Sequence, residues 1–319
     1  MTRSKSVNSA VETADMTAGE SANVSGRFAP SPTGPLHLGS LMAAVASFLD
    51  AHHRSGRWLV RVDDLDTPRK RPGAIRTILR TLEQHGLWWN GEVDYQSEHQ
   101  DRYQQAVADL ERRGLLFYCR CSRTRLKSHP IYPGTCRHHK AYRADAARRI
   151  LTQGAICHFV DGIQGPVSTR IDQEIGDFIV VRRDGQIAYQ LATAVDDGAP
   201  GITHVVRGRD LLELTAAQMF LMTKLKLKAP EYLHIPVLVG SDGHKLSKQS
   251  KAPPLRPERA GSNLIAVLGL LGQRVDDLNQ ELDPSTILST AAPRWDIDRV
   301  PKVAALTRSG TTPENPRLL

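Results

Sequence analysis

The sequence predicts an α/β protein built on a doubly wound parallel sheet, and three observations carry that prediction. A strand, turn, helix, strand succession fills residues 26 to about 64, a βαβ unit that requires parallel pairing and a right-handed crossover. Much later, "YLHIPVLVG" is a nearly continuous apolar run, the pattern of a strand buried on both faces. Two polar loops, "SPTGPLHLGS" and "SDGHKLSKQS", each follow a strand and so fall at the carboxyl edge, where such sheets bind ligands.

Taken in order, residues 1–25 are small and polar with no apolar core of 7 to 15 residues, and are expected to form a disordered tail that stays in the cytoplasm. "GRFAP" is a strand. The next segment has helical spacing at Leu41, Val45, Phe48 and Leu49 and closes at Gly56. "RWLVRVDD" is a strand ending in carboxylates. "PGAIRTILRTLEQHG" places Pro72 at a helix start and stops at Gly86; "SEHQDRYQQAVADLERRG" repeats that grammar with Ser97 as cap and Gly114 as stop. "DFIVVRRDGQIAYQLA" reads as a hairpin turning at Asp184-Gly185, "ITHVVRG" as a strand and "LLELTAAQMFLMTKL" as an amphipathic helix. A short helical piece, "SNLIAVLGLLGQ", follows. No internal repeat interrupts this order.

The 319 residues suffice for a sizeable core, and with 40% apolar and 24% charged residues the chain has the composition of a soluble globular protein. No run approaches the ~18 apolar residues of a membrane helix. A formal charge of +8 suits an anionic partner such as RNA. Of four cysteines, Cys119, Cys121 and Cys136 fall within 18 residues, in a stretch from 117 to about 139 that lacks periodicity. In a cytosolic chain such clustering favours a metal over a disulfide.

The first loop is stiffened by three prolines, while Gly34 and Gly39 allow close backbone approach to a ligand. It feeds a helix N-terminus, where unpaired amides and the helix dipole attract phosphate, and His37 stands just before that terminus. The second loop offers Lys245, Ser247 and Lys248, cations suited to charge building on a leaving pyrophosphate. Read singly, such a loop is more often a solvated one.

"PLHLGS" and "KLSKQ" resemble the HIGH and KMSKS signatures of class I aminoacyl-tRNA synthetases. Together with "GRFAPSPTGPLHLGS", "RVDDLDTPR", "AYQLATAVDDG" and "HVVRGRDLL", they follow the order and approximate spacing of the glutamyl-tRNA synthetase catalytic domain over residues 26 to 270. The resemblance implies a class I synthetase-type Rossmann domain in two halves, 26–115 and 186–250, around an inserted zinc-bearing acceptor-type subdomain at 116–185. A short helical appendage at 251–319 would stand where the family has its anticodon-binding region. That shortness, with Cys-x-Cys and Tyr-x-x-x-Cys, resembles a truncated branch of the family that activates glutamate without tRNA and attaches it to the queuosine base in the anticodon of tRNA(Asp).

By the same resemblance, L-glutamate is held by Arg27, Phe28, Ala29, Pro30, Ser31, Asp63, Tyr189 and Arg207; which arginine takes the side-chain carboxylate stays open. Asp63 stands where the family usually has Glu, so the substrate ammonium would be reached through water. ATP is assigned to His37, Gly39, Ser40, Lys245, Ser247 and Lys248, with Mg²⁺ on its phosphates and His37 and Lys248 as the catalytic pair. Ser40 replaces the second histidine of HIGH. One structural Zn²⁺ is expected on Cys119, Cys121, Cys136 and Tyr132, with His138 or His139 as the chemically ordinary alternatives to the tyrosine and Cys157 a distant one. The chain is expected to be a cytoplasmic monomer. The competing readings are a conventional glutamyl or glutaminyl synthetase, a small nucleotidyltransferase and a non-catalytic RNA-binding module.

Overall fold

A computed structural model describes residues 24–240, 242–246 and 253–313. Residues 1–23 of the expected tail, 1–25, lie outside the described residues, as do Ser247 and Lys248 of the lysine loop; Ser25, assigned to the tail, instead opens the first strand.

The chain opens with β1 (Ser25–Phe28), α1 (Leu38–His53), β2 (Arg57–Val62), α2 (Ala74–Gln84), β3 (Asp94–Tyr95) and α3 (Gln100–Arg112). Next come β4 (Leu116–Cys119), α4 (Arg123–Leu126), β5 (Ala147–Ile150), β6 (Ile156–Asp161), β7 (Gly165–Arg170), α5 (Ile171–Glu174) and β8 (Ile179–Val181). The sheet is then rejoined through α6 (Tyr189–Asp197), β9 (His204–Gly208), α7 (Leu212–Leu225) and β10 (Glu231–Ile235). β11 (Val237–Leu238), α8 (Ala260–Leu270), α9 (Pro284–Ala291) and β12 (Ala305–Leu306) complete the described chain.

Five strands form the central sheet in the order β10-β9-β1-β2-β3, every pair parallel. Strand order reverses between β1 and β9, and the crevice outside their carboxyl ends is where a doubly wound sheet places its ligand. Alternation along the strands sends Phe28, Trp58 and Val60 into one core with α1, α2, α8 and α9. Arg27 and Arg61 go to the opposite face, where α3, α6 and α7 build a second core around Tyr103, Leu191 and Phe220. Each core holds more than a dozen buried apolar side chains, so burial at about 25 cal/mol per Å² stabilises both faces of the sheet.

Several local expectations change. α2 begins at Ala74 after Gly73, whose φ of 73° is left-handed, so Pro72 precedes the helix instead of opening it. Ser97 does not cap α3: it lies in a 3₁₀ turn, Gln96–His99, and its amide and hydroxyl both donate to Asp64, each at 2.8 Å. The predicted hairpin closes through a single antiparallel bridge, Val181 to Ile187, after which the chain enters α6 at Tyr189. α7 is buried on most of its circumference, including Thr215 and Gln218, because it packs between α6 and the β6–β7 hairpin; it is not amphipathic. Pro236 divides the apolar run, so that β10 joins the central sheet while β11 pairs in parallel with β12.

β10 is an edge of the sheet, and the turn of the β6–β7 hairpin covers it. Gly162 N–H donates to Tyr232 O at 2.9 Å, Gln164 Nε2 to His234 O at 2.8 Å, and His234 N–H to Asp161 Oδ1 at 3.1 Å. Pairing the edge in this way removes a template for unwanted association. Among the described residues, no helix is long and apolar enough to cross a membrane.

Candidate active site and cysteine cluster

His37 is itself the N-cap of α1. Its backbone is extended, Nδ1 accepts from Ser40 N–H at 3.3 Å, and Ser40 Oγ accepts from His37 N–H at 2.8 Å, a reciprocal capping box. A nitrogen that accepts carries no proton, so the imidazole proton sits on Nε2. Gly39 leaves room beneath the ring: a Cβ there would crowd the imidazole at 3.3 Å and touch Leu238 Cβ at 3.7 Å. The loop before it turns at Gly34, whose φ of 143° favours glycine.

Under the carboxyl ends of β1 and β2 lies a lattice of buried charges. Arg27 grips Asp197 with Nε at 3.0 Å and Nη2 at 2.6 Å. Arg61 donates to Asp63 at 2.8 Å and to Asp197 at 2.7 Å. Asp196, next to it at the end of α6, accepts from Gln96 at 2.8 Å and from Tyr103 at 2.7 Å, and lies 3.1 Å from His99 Nδ1. Burial opposes ionisation of Asp197, yet Arg27 and Arg61 hold its carboxyl well below the ordinary carboxylate range. At Asp63 burial prevails over Arg61 and pushes the pKa up.

Arg207, on β9, has a different setting. Its Nε donates to His234 Nε2 at 3.1 Å, and its Nη2 to Thr215 Oγ1 and Gln218 Oε1, both at 2.7 Å. The guanidinium lies over the Tyr232 ring, 4.9 Å from its centroid. Nη1 is buried without a hydrogen-bond partner, and no carboxylate among the described residues lies in ion-pair range. Arg207 is therefore a buried cation with only neutral neighbours bonded to it.

One cleft of about 880 Å³ receives these groups. Arg27, Phe28, Ala29, Pro30, Ser31, Asp63, Tyr189 and Arg207 line it together with His37, Gly39, Ser40 and Lys245. Lys245 reaches it from a short stretch that bridges Val239 and pairs with Asp210. Of the residues assigned to the cleft from sequence, only Ser247 and Lys248 are left unplaced, outside the described residues. Sequence reasoning missed Arg61, Asp196, Asp197, Thr215, Gln218 and the Asp161–His234 pair. Adjacent acids in "AVDDG" and a histidine inside the apolar "YLHIP" were the available signals.

The cysteines gather in the segment after β4. Cys119, Cys121 and Cys136 place their sulfurs within 4.8 Å of one another, with Cys121 and Cys136 3.8 Å apart, and all are free thiols. Ligands at about 2.3 Å around a tetrahedral ion stand about 3.8 Å apart, so the spacing fits one metal ion. Tyr132 Oη lies 3.5 Å from Cys119 Sγ and accepts from Cys136 N–H at 2.9 Å. His138 and His139 are outside the three-cysteine group, although His139 Nδ1 is buried without a partner. Cys157 sits in β6, in the core with Val180 and Phe220, where burial pushes its thiol pKa up.

Residues 23–150 and 135–255 match the family described as tRNA synthetases class I (E and Q), catalytic domain. A Pseudomonas aeruginosa protein named glutamyl-Q tRNA(Asp) synthetase is 48% identical over 282 residues, covering 88% of this chain and 96% of the relative. A namesake from Ectopseudomonas mendocina is 45% identical over 285 residues, covering 89% and 97%. Among solved structures, a glutamate tRNA ligase from Elizabethkingia meningosepticum, in complex with its amino acid, superposes with a TM-score of 0.73 at 24% identity. That superposition covers 89% of this chain and 66% of the ligase, and it shows the shared fold.

Proposed function

Because this chain belongs to the family of class I tRNA synthetases for glutamate and glutamine, we propose that it is a cytoplasmic, monomeric ligase. It activates L-glutamate with ATP in the absence of tRNA, then transfers the glutamyl group to the queuosine base in the anticodon of tRNA(Asp). The acceptor is taken from the printed name of relatives that are 45–48% identical over about nine-tenths of the chain. The chemistry is supported by one observation above the rest: Arg207, bonded to no carboxylate, and the capped head of α1 face the same cleft.

A glutamate carboxylate oxygen attacks the α-phosphorus of ATP in line, and pyrophosphate leaves. Arg207 takes the substrate's side-chain carboxylate, since Arg27 and Arg61 are already neutralised by Asp197 and Asp63. Asp63 and Tyr189 receive the ammonium end. His37 Nε2–H and the head of α1 face the phosphates, and Lys245 with Lys248 draws charge from the leaving pyrophosphate. Mg²⁺ on the phosphates supplies further neutralisation when bound. A hydroxyl of the queuosine cyclopentene ring then attacks the mixed anhydride, forming an ester and releasing AMP. No protein nucleophile takes part; catalysis is positioning and charge stabilisation.

Residues 116–185 form the inserted subdomain, braced by a structural Zn²⁺ on Cys119, Cys121, Cys136 and Tyr132, which the donor spacing fits. Purified protein should hold about one zinc per chain, and Cys119→Ser should lose it with a lower Tm; a metal-free native protein with unchanged Tm removes the site.

Glutamate-dependent exchange of labelled pyrophosphate into ATP, with tRNA omitted, tests the first step. Exchange is expected without tRNA, and its absence overturns tRNA-independent activation. For the second step, tRNA(Asp) should accept glutamate only when it carries queuosine; charging of tRNA(Glu) at its 3′ end restores the conventional synthetase.

A further inference from the structure

We propose that Asp161 and His234 are positioning residues for amino-acid specificity: they hold Arg207 in place through a neutral acceptor and so leave its charge available to the substrate carboxylate. The proposal rests on the glutamate-activating reading and names the device that makes Arg207 selective.

Three observations carry it. Asp161 Oδ2 lies 2.5 Å from His234 Nδ1, and both side chains are fully buried. An ionised carboxylate only accepts, so Nδ1 carries the proton and Nε2 presents a lone pair. Arg207 Nε, 3.1 Å away, donates to that lone pair. The tautomer that fits Arg207 is thus set by Asp161, which Arg207 itself does not touch.

Asp161 has little freedom to do anything else. Its Oδ1 accepts from the amides of Ile163 at 3.0 Å, Gln164 at 2.9 Å and His234 at 3.1 Å. These bonds belong to the hairpin turn that covers β10, so a segment inserted between the two halves of the sheet fixes a group in the cleft.

The choice of histidine is the informative part. At Arg27 and Arg61 the orienting partners are carboxylates, and the pairs are neutral overall. At Arg207 the partners are an imidazole, a hydroxyl and an amide oxygen. A carboxylate at position 234 would orient the guanidinium equally well but cancel its charge. The site would then no longer separate a substrate carboxylate from the isosteric amide, because that separation depends on an unmet cation.

Asp161→Asn tests the tautomer. Asn can donate from Nδ2 to His234 Nδ1, which moves the imidazole proton to Nε2 and sets donor against donor at Arg207. In tRNA-free pyrophosphate exchange, KM for glutamate should rise about tenfold or more, with KM for ATP within about twofold and the preference for glutamate over glutamine reduced. His234→Gln, whose amide can donate to Asp161 and accept from Arg207, should stay within about threefold of the wild type, while His234→Leu should lose glutamate affinity. ¹⁵N shifts of His234 should report a change of tautomer in Asp161→Asn. Should that variant not fold, the Gln and Leu pair decides by the same readout. Equal glutamate KM and selectivity in Asp161→Asn or His234→Leu overturns the proposal, as does a parallel rise of both KM values. If the wild-type protein shows no glutamate-dependent exchange, it is the glutamate-activating reading that fails.

Discussion

The two ends of the cleft manage charge in opposite ways. Beneath β1 and β2, two arginines and three aspartates are locked in a lattice with almost no solvent contact, each at most 9% exposed. At the head of α1 the charged and polar groups are half-exposed, and Lys245 pairs with Asp210 near the surface. The difference separates two tasks. On the proposed function, an amino acid is selected by geometry that must not move, whereas a triphosphate needs cations that can approach it and leave with pyrophosphate. Arg207 stands between these regimes, as buried as the lattice yet hydrogen-bonded to no carboxylate.

Removing the centre of the lattice breaks the comparison most severely. Asp197→Ala leaves Arg27 and Arg61 buried without their common partner and should cost about 3–5 kcal/mol in urea unfolding. A loss under about 1 kcal/mol would mean that the lattice is solvated and the contrast false.

Acid should come next. Burial, with Arg207 and Arg209 adding to it, lowers the pKa of His234 to about 4 against the pull of Asp161. An unfolded imidazole protonates near 6.5 while the folded one stays neutral, so the unfolded state binds the extra proton. Stability is therefore full above pH 6.5 and falls by about 3 kcal/mol on the way down to pH 4. Asp161, held below its usual range, keeps its own contribution above about pH 4 and loses it below. Thermal unfolding of wild type and His234→Gln from pH 7.5 to 4.5 should show the steeper fall in the wild type. Parallel curves would place that dependence on other groups.

The phosphate end should respond least. Ser40→Ala removes one half of the capping box and should cost about 1 kcal/mol of stability. The exchange rate should drop several-fold because His37 loses its bracing, with KM for glutamate unchanged. A change in glutamate KM instead would tie the two ends together.

The central strands β1, β2, β9 and β10 and the helices α1, α2, α3 and α8 were legible because each carries its own period and its own stop residue. β3 was not, since two residues have no period. The first residues of α6, 189–192, read as the second strand of a hairpin because Ile187 and Tyr189 are strand formers, whereas the helix is decided by packing against α3 and α7. Within the site, the motif residues that the structure describes fell into one cleft, Ser247 and Lys248 lying outside the described residues. Those that orient them stayed hidden: Asp197 lies 170 positions from Arg27, and Asp161 lies 73 from His234. Local pattern can flag the acids and the histidine but not the partners they meet.

That separation also has a history in time. At about 5–20 residues per second, a ribosome that has made Arg27 reaches Asp197 roughly 10 to 30 s later. Until then Arg27 lacks the carboxylate that grips it and has only Asp63 to favour its charge, and β1 lacks β9, its neighbour on the other side. Burying Arg27 before Asp197 exists would be costly, so the Arg27 end of the cleft is expected to close only after the inserted hairpin and β9 have emerged. Pairs so distant in sequence slow folding in general, and the cleft draws on two of them at one carboxylate, Arg27 and Arg61 both meeting at Asp197.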